Sequence, residues 1–242
     1  MRYPRGVDRS SRGAPRPQLD FGRWIVWSSG GLVAVNKPAG VLSQGGEGGA
    51  GVNLVDLARA HFGRGGIGVL HRIDRNVSGL VLLALDPRTA RAFTDALGRG
   101  EVEREYAAVV RGRPADEAFT VQAPLLKDAR TNEVRVATAG ATFARAAHTE
   151  ARVMRTFSAP LGRCALLAAW PITGRSHQLR VHLAHVGLPI VGDPKYGVRA
   201  QGIHRPLLHA RAMRFSDPHT SEAVELVCPP PWRDADLPRL RP

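Results

Sequence analysis

The sequence predicts an α+β fold with a mixed, mainly antiparallel β-sheet flanked by helices and loops. Short apolar runs bounded by turn residues, which are typical of β-strands, occur along the chain and dominate residues 103–170. Three segments carry the signals of capped amphipathic helices. The 242 residues contain no repeat and no clear linker. We therefore expect one domain over residues 21–242.

The first part of this domain is predicted to contain strands and two helices. Residues 24–27 and 32–35 are expected to form strands around a Ser-Ser-Gly-Gly turn. Asn53 can cap a helix that runs through His61. Asp86, followed by a proline, begins another helix, which two glycines end at residues 98 and 100. Two apolar runs have the character of buried strands, at residues 67–70 and 80–85.

The second part is predicted to be mainly β-structure. Ser176 is expected to cap a helix that Gly187 closes. The Pro-rich end from Pro229 is expected to pack along the surface. Strands are expected at residues 103–110, 119–121, 133–137, 151–156, 164–170, 207–209 and 224–227.

The composition is that of an ordinary globular protein, with 43% hydrophobic and 23% charged residues. No apolar run approaches the roughly 20 residues that span a bilayer. The first 20 residues lack the hydrophobic stretch of a secretory signal, so a cytoplasmic protein without membrane contact is expected. Cys164 and Cys228 have no metal-ligand spacing and are expected to be buried free thiols.

The charge indicates a nucleic-acid partner. Lys and Arg number 34 and Asp and Glu 21, which gives a formal net charge of +13, and nearly all of the cations are arginines. Arginine binds phosphate through two parallel hydrogen bonds and stacks on bases. The alternative is a solvated basic surface without a partner. Residues 1–20 are rich in Arg, Pro, Ser and Gly and are expected to form a disordered basic arm that contacts RNA phosphates.

The segment 71–79 is the first candidate site. Asp74 stands close to Arg72 and Arg75, between two apolar runs. A carboxylate held among cations at the edge of buried strands stays ionised at neutral pH and can act as a nucleophile or base. The alternative is that Asp74 forms a surface ion pair without a catalytic role. His71, Asn76 and Ser78 add further polar groups, and this crowding favours a site.

The segment 174–182 is the second candidate. His177 and Arg180 are expected on one helix face near its N-terminus, where free N–H groups favour an anion. An amphipathic helix with a basic outer face is the alternative. His182 and His185 could hold a metal, but the zincin pattern is absent and we expect no metal site.

Two further features have competing interpretations. Tyr106 in an apolar strand is either half-buried core or a platform on which a base stacks. The glycine stretch at residues 46–51 formally matches a dinucleotide-binding fingerprint, but it begins well after the preceding strand, so a flexible loop is favoured. A dinucleotide-binding enzyme and a non-catalytic RNA-binding module remain alternatives. The chain has neither a P-loop nor a Gly-x-Ser-x-Gly elbow.

Taken together, these motifs resemble the RluA-type pseudouridine synthases from about residue 21 to residue 228. The resemblance implies a cofactor-free and metal-free isomerase that converts uridine in ribosomal or transfer RNA to pseudouridine in a cleft across the sheet. The motifs that carry it are Val35-Asn36-Lys37-Pro38-Ala39-Gly40, His71-Arg72-Ile73-Asp74-Arg75 with Ser78-Gly79, Arg104-Glu105-Tyr106, residues 174–182 from Gly174 to His182, Gly192-Asp193-Pro194-Lys195-Tyr196-Gly197 and Leu208-His209-Ala210.

The resemblance also implies roles for single residues. Asp74 matches the essential aspartate, which attacks the sugar or removes a sugar proton, and both routes remain open. Tyr106 matches the tyrosine that stacks on the target base, and Arg180 matches the basic residue that pairs with the aspartate. Arg72 matches the arginine that fills the gap left by the flipped nucleotide. The cleft arginines and histidines are expected to bind the RNA, with His71, Arg175 and His177 as candidates.

Three departures from the family pattern bear on the site and the substrate. Ile73 stands where leucine is usual, and Val77 replaces the usual threonine, so one hydroxyl is lost near the loop. Many members carry a separate RNA-binding domain before the catalytic region, whereas only the arginine-rich arm is present here. The uridine and the RNA that are modified are therefore open, and a monomer without an obligate protein partner is expected.

Overall fold

A computed structural model of the protein describes residues 20–45, 51–138 and 140–242. The basic arm predicted for residues 1–20 lies outside the described residues except for Asp20. Most of the glycine stretch, residues 46–50, also lies outside them. The predicted disorder of the arm and the dinucleotide interpretation of the glycine stretch stay predictions.

The strands of the described chain confirm the predicted α+β fold. In chain order they are β1 Ile25–Ser29, β2 Leu32–Lys37, β3 Gly68–Val69, β4 Ser78–Ala84, β5 Glu103–Arg111, β6 Ala118–Gln122, β7 Leu125–Asp128, β8 Glu133–Val136, β9 His148–Ala159, β10 Gly162–Pro171, β11 Leu208–Ser216 and β12 Ala223–Val227.

Ten of these strands form one sheet in the order β1-β2-β4-β11-β5-β10-β9-β6, with β12 beside β11 and β3 beside β4. Within the described residues, β4 and β11 are the one parallel pair of this sheet, and its other pairs are antiparallel. The hairpin of β7 and β8 stands apart as a second sheet. Strand β7 was not predicted, because Lys127 and Asp128 break its apolar run.

Three α-helices are present in the described residues: α1 Leu54–Phe62, α2 Pro87–Gly98 and α3 Gln178–His185. The first two begin as predicted. The Asn53 side chain accepts a hydrogen bond from the Asp56 amide at 3.0 Å, and the Asp86 side chain accepts one from the Thr89 amide at 2.9 Å.

The predicted start of α3 is wrong. His177, and not Ser176, is the N-cap residue, its φ is +54°, and its side chain makes no capping bond. The Gln178 side chain instead folds back and accepts a hydrogen bond from the Arg175 amide at 3.0 Å. The turn before the helix is therefore held by a residue inside the helix, which a capping rule based on short polar side chains does not anticipate.

The central strand β4 is buried along its whole length because both faces of the sheet are covered. Val81 and Leu83 face the larger core, which also contains residues of α1 and α3. Leu80 and Leu82 face a second core with Phe93 of α2. This position in the middle of the sheet makes the loop before β4 a well-supported place for a functional side chain.

The C-terminal segment packs along the surface, as predicted, and two leucines anchor it to the core. Leu237 is 1% exposed and Leu240 is 7% exposed, and both join a core cluster with Val109 and Cys164. The Leu240 carbonyl also accepts a hydrogen bond from the Leu161 amide at 2.9 Å. Most of the other residues from Pro229 onward are exposed, so the two leucines hold a surface segment in place.

Two other observations concern the chain as a whole. Cys164 and Cys228 are buried and free, as predicted. Within residues 20–45, 51–138 and 140–242, no helix has the length and apolar character needed to cross a lipid bilayer.

Candidate active site

One cleft of about 750 Å³ is formed mainly by the loop before β4 and the turn before α3, with β5 between them. Its lining includes all seven residues for which the sequence predicts a catalytic or RNA-binding role, although they are spread over more than 100 positions. These residues are His71, Arg72, Asp74, Tyr106, Arg175, His177 and Arg180.

The centre of the cleft is an ion-pair network around Arg180. The Arg180 Nη1 atom donates to Asp74 Oδ2 at 2.8 Å. Its Nε and Nη2 atoms donate to the two carboxylate oxygens of Asp193 at 2.7 and 2.8 Å. The Asp193 side chain is completely buried, whereas the Asp74 side chain is 26% exposed. One arginine is thus fixed by a buried aspartate and holds a second aspartate at the cleft.

Asp193 keeps its negative charge in spite of its burial. Burial alone would raise the pKa of the Asp193 carboxyl, but the Arg180 guanidinium and the backbone amides of Lys195 and Tyr196 lower it below the ordinary value. Burial likewise opposes the charge of Arg180, but its bonds to Asp193 and Asp74 raise the pKa of Arg180 above the ordinary value. Arg180 and Asp193 therefore form a pair that stays ionised throughout the neutral range.

The peptide groups on both sides of Asp74 are held by the loop that follows β2. The Ser43 hydroxyl donates to the Ile73 carbonyl at 2.8 Å and accepts from the Ile73 amide at 3.2 Å. On the other side, the Arg75 carbonyl accepts from the Gly40 amide at 2.8 Å and from Lys37 Nζ at 3.2 Å. Bonds to the residues before and after Asp74 fix the direction in which its side chain points.

Lys37 is a fully buried cation next to this loop. Its ammonium group donates to the carbonyls of Pro38, Val41 and Arg75 at 2.8–3.2 Å. Burial lowers the pKa of Lys37 to about 7, although the charge of Asp74 opposes this shift. The side chain can therefore lose its charge near neutral pH.

Tyr106 lies on β5, in the cleft wall, and is 8% exposed. Burial raises the pKa of the Tyr106 phenol to about 12. The phenol is consequently protonated at neutral pH and offers an aromatic surface and an O–H group. The ring belongs to the core cluster and also lines the cleft, so it packs as a core residue, and its role as a stacking platform stays a prediction.

His177 contacts Tyr196, which in turn supports Arg180. The His177 Nδ1 atom lies 2.7 Å from the Tyr196 hydroxyl, and the Arg180 guanidinium lies 5.0 Å from the centre of the Tyr196 ring. Burial lowers the pKa of His177, so the ring is neutral at neutral pH. His177 can therefore meet a ligand through hydrogen bonds but does not add a cation to the cleft at that pH.

Three other predicted residues differ in how they line the cleft. Arg72 is exposed, and Arg175 is exposed with its Nε bonded to the Ala146 carbonyl at 3.0 Å. His71 is 7% exposed, and burial lowers its pKa to about 3. Its Nε2 atom accepts a hydrogen bond from the Leu82 amide at 3.1 Å, so His71 is a neutral wall residue.

The two departures in the loop are accommodated by the core. Val77 is 1% exposed and Ile73 is 7% exposed, and both belong to the large apolar cluster. Ser78, the next residue, places its hydroxyl 2.9 Å from His209 Nδ1. An apolar side chain thus suits position 77, and the loop keeps a hydroxyl bond at position 78.

Sequence reasoning gave no role to Lys37, Ser43, Asp193 and Tyr196, which support the network. Lys37, Asp193 and Tyr196 lie in motifs that carry the family resemblance, but the motifs alone do not indicate what these side chains contact. Nothing in the sequence indicates that Ser43 supports the site, because a single serine near a glycine-rich stretch resembles an ordinary turn residue.

The metal alternative does not fit His182. Its two ring nitrogens lie 2.9 Å from the Thr149 hydroxyl and 2.9 Å from the Ala123 carbonyl, and the side chain is fully buried. Among the described residues, no group of three or more histidines, cysteines or acids is arranged to hold a metal ion. His182 instead ties α3 to the neighbouring strand.

The chain was then compared with known proteins. Residues 31–185 match the family model described as RNA pseudouridylate synthase. A protein of Yersinia pestis, described as ribosomal large subunit pseudouridine synthase C, is 32% identical over 217 residues, which cover 85% of this chain and 65% of the relative. An uncharacterized RNA pseudouridine synthase of Chloroflexus aurantiacus is 36% identical over 210 residues, which cover 84% of this chain and 63% of the relative.

The chain thus spans about 65% of the length of the Yersinia relative. Among solved structures, human RNA pseudouridylate synthase domain containing 1 superposes with a TM-score of 0.72 at 26% identity, covering 87% of this chain and 84% of that one. The family model covers more than half of the sequence, and the fold agrees with that of a solved member. The chain therefore belongs to the RNA pseudouridylate synthase family, in which its motifs resemble the RluA type.

Proposed function

We propose that this protein isomerises uridines in RNA to pseudouridine, with Asp74 as the catalytic aspartate. The observation that supports this most strongly is the placement of Asp74. Its side chain lies in an open cleft, and Arg180 donates a hydrogen bond to one of its carboxylate oxygens. The residues before and after it, Ile73 and Arg75, are hydrogen-bonded to Ser43 and Lys37. The bond to Arg180 holds the carboxylate in place for either role, nucleophile or base.

The reaction leaves the atoms of the nucleotide unchanged in number. The bond from the uracil nitrogen to the sugar breaks, the base turns, and carbon 5 joins the sugar. The proton on carbon 5 leaves and the freed nitrogen gains one. Asp74 either bonds to the anomeric carbon and is displaced later, or takes the neighbouring sugar proton and returns it.

The other cleft residues fit the handling of a flipped nucleotide. A base stacked within RNA hides its sugar, so the nucleotide must leave the stack, which costs a few kcal/mol. Stacking on Tyr106 and insertion of Arg72 into the vacated position would offset this cost. The exposed guanidinium of Arg175 and the N–H groups near His177 would contact the backbone.

Ribosomal RNA is the substrate to test first. The Yersinia relative is named for the large ribosomal subunit, and the net charge of +13 suits a polyanion. Transfer RNA is the second candidate. A cytoplasmic monomer that needs neither metal nor organic cofactor is part of the same proposal.

The replacement Asp74→Asn tests the role of the aspartate. The amide keeps the size and polarity of the side chain but cannot act as nucleophile or base, so pseudouridine formation should fall at least about a thousandfold. The measurement is pseudouridine mapping of ribosomal RNA from cells that lack the gene, after incubation with each variant. The exposed Asp116→Asn, which changes charge equally outside the cleft, should retain wild-type activity.

A wild-type rate for Asp74→Asn would refute the assignment of Asp74. Tight RNA binding by the wild-type protein with no pseudouridine formed in any cellular RNA would favour the rival function, a non-catalytic RNA-binding module. A shift of the melting temperature by nicotinamide or flavin nucleotides would revive the dinucleotide alternative.

A further inference from the structure

Two hydrogen-bond donors in the cleft wall have no acceptor among the described residues. They are Nδ1 of His71 and Nε of Arg104, and both atoms are buried. The Nε2 atom of His71 accepts from the Leu82 amide, so the hydrogen of this neutral ring is on Nδ1. An unsatisfied buried donor costs about 1–3 kcal/mol, and folded proteins retain few of them. Two such donors in the same cleft are available to a bound ligand.

Arg104 also lacks a counter-charge. Within the described part of the chain, its side chain makes one hydrogen bond, from Nη2 to the Pro171 carbonyl at 3.0 Å, and no ion pair. The acids on either side of it in β5 are used elsewhere, since Glu103 pairs with Arg214 and Glu105 pairs with Arg211. A partly buried arginine without an anion has N–H groups and a charge free to pair with an anionic ligand.

Arg104 and His71 line the same cleft as Tyr106. The charge of Arg104 contributes to the low pKa of His71 and opposes the rise that burial causes in the pKa of Tyr106, so the guanidinium is within electrostatic reach of both side chains. Arg104 and Tyr106 are two positions apart on β5 and share a face, with Cα atoms about 7 Å apart. All three side chains line the cleft.

We propose that Arg104 and His71 form a subsite for a phosphate group of the RNA strand, next to the nucleotide that stacks on Tyr106. This inference rests on the proposed function, because the phosphate is that of the RNA substrate. Arginine presents N–H groups in a fork that matches phosphate oxygens, and the neutral His71 N–H supplies one more donor without a second charge. Arg104 can turn toward the cleft because a single carbonyl holds its guanidinium.

Binding of a short oligouridylate, followed by fluorescence anisotropy from about 50 to about 300 mM KCl, tests the subsite. Loss of one phosphate contact in Arg104→Gln should reduce the slope of log affinity against log salt by about 0.7. The affinity at low salt should fall about tenfold, the size of one charge-assisted hydrogen bond. Arg104→Lys should keep the slope and lose part of the affinity.

Two further variants complete the test. Arg163→Gln removes an equal charge from an exposed position outside the cleft and should leave slope and affinity near wild type. His71→Met keeps a weak sulfur acceptor for the Leu82 amide but has no N–H donor, so affinity should fall with an unchanged slope. Melting curves verify that each variant is folded.

The slope distinguishes the outcomes. If Arg104→Gln behaves like Arg163→Gln, the donors meet only water and the subsite does not exist. If its affinity falls with an unchanged slope, the acceptor is an uncharged base carbonyl and the phosphate assignment is wrong. The anisotropy assay measures binding alone. If the variants show the predicted slopes but the wild-type protein forms no pseudouridine, the subsite stands and the isomerase function is refuted.

Discussion

At the scale of single residues, Lys37 shows how the site combines support with charge. Its ammonium group joins three carbonyls of two loops, one of which carries Asp74. A lysine without a carboxylate in direct contact, completely removed from solvent, is rare in proteins. Its low pKa is the cost of that position, and it makes the stability of the protein depend on pH.

Replacement of Lys37 by methionine should reveal this dependence. Between the folded pKa of about 7 and the ordinary value of 10.5, the unfolded chain binds a proton that the folded chain lacks, so a rise in pH favours folding of the wild type. The unfolding free energy of wild type relative to Lys37→Met should rise across this window by up to about 1.4 kcal/mol per pH unit. Urea denaturation from about pH 6 to about pH 10 measures it.

Below about pH 7 the unfolding free energies of the wild type and Lys37→Met should change with pH in parallel, because Lys37 is then charged in both the folded and the unfolded protein. The exposed Lys127→Met serves as the control and should track the wild type over the whole range. Parallel curves for Lys37→Met above pH 7 would show that Lys37 is charged and adequately solvated in the folded protein.

The sequence singled out residues whose chemistry was conspicuous, and the structure adds those that act by position. Asp74 and Arg180 stood out as charged groups in crowded polar segments, and they lie 2.8 Å apart. Asp193 was visible only as part of a motif, since nothing in its neighbourhood shows that it will bind an arginine 13 positions earlier. A hydrogen bond between side chains of two separate segments leaves no periodic pattern in the sequence from which it could be predicted.

At the scale of elements, the parallel contact between β4 and β11 determines where the Asp74 loop begins. Gly79 pairs with Ala210 in this contact, and its φ is +117°. A Cβ atom on residue 79 would lie 2.3 Å from the Ala210 carbonyl oxygen. The close approach of the two backbones therefore requires glycine.

Gly79→Ala should destabilise the protein by about 3 kcal/mol or more, because the added carbon strikes backbone atoms in a conformation that alanine avoids. Urea denaturation at neutral pH measures the loss. Gly98→Ala is the matched control, because no atom lies within 4 Å of its Cβ position at the end of α2, and its stability should be unchanged or slightly higher. Equal stabilities of the two variants would contradict the proposed steric requirement.

Element prediction succeeded where local chemistry decides the outcome. Asn53 and Asp86 cap their helices through side-chain bonds to residues three positions later. It failed for Ser176, because the turn before α3 is held by Gln178, whose side chain also bonds to the His148 carbonyl on a distant strand. It missed β7, which pairs with β8 in a short hairpin, because Lys127 and Asp128 end its apolar run after two leucines.

At the scale of the whole molecule, the positive charge is expected to control RNA binding. The excess of 13 cations is spread over a chain whose cleft already contains Arg72, Arg175 and Arg180. Residues 1–19 contribute five more arginines. The contribution of these arginines should appear in the salt dependence of binding rather than in the chemical step.

Deletion of residues 1–19 should weaken RNA binding and reduce the salt slope by about 0.7 for each phosphate contact that the arm makes. The pseudouridine rate at saturating RNA should be unchanged. A full-length variant with the five arm arginines replaced by glutamine separates charge from chain length and should match the deletion. A slope equal to that of the wild type would mean that the arm does not bind RNA.

The sequence by itself determined the fold class, most strands, the start of two helices and the residues whose chemistry identifies the family. These features follow from local periodicity, helix capping and sequence motifs, all of which depend on residues that are close together in the chain. Only the tertiary structure decided that Asp193 fixes Arg180, that Lys37 and Ser43 hold the Asp74 loop, and that Arg104 and His71 have donors without acceptors. The physical reason is that burial and hydrogen-bond satisfaction depend on which distant segments meet.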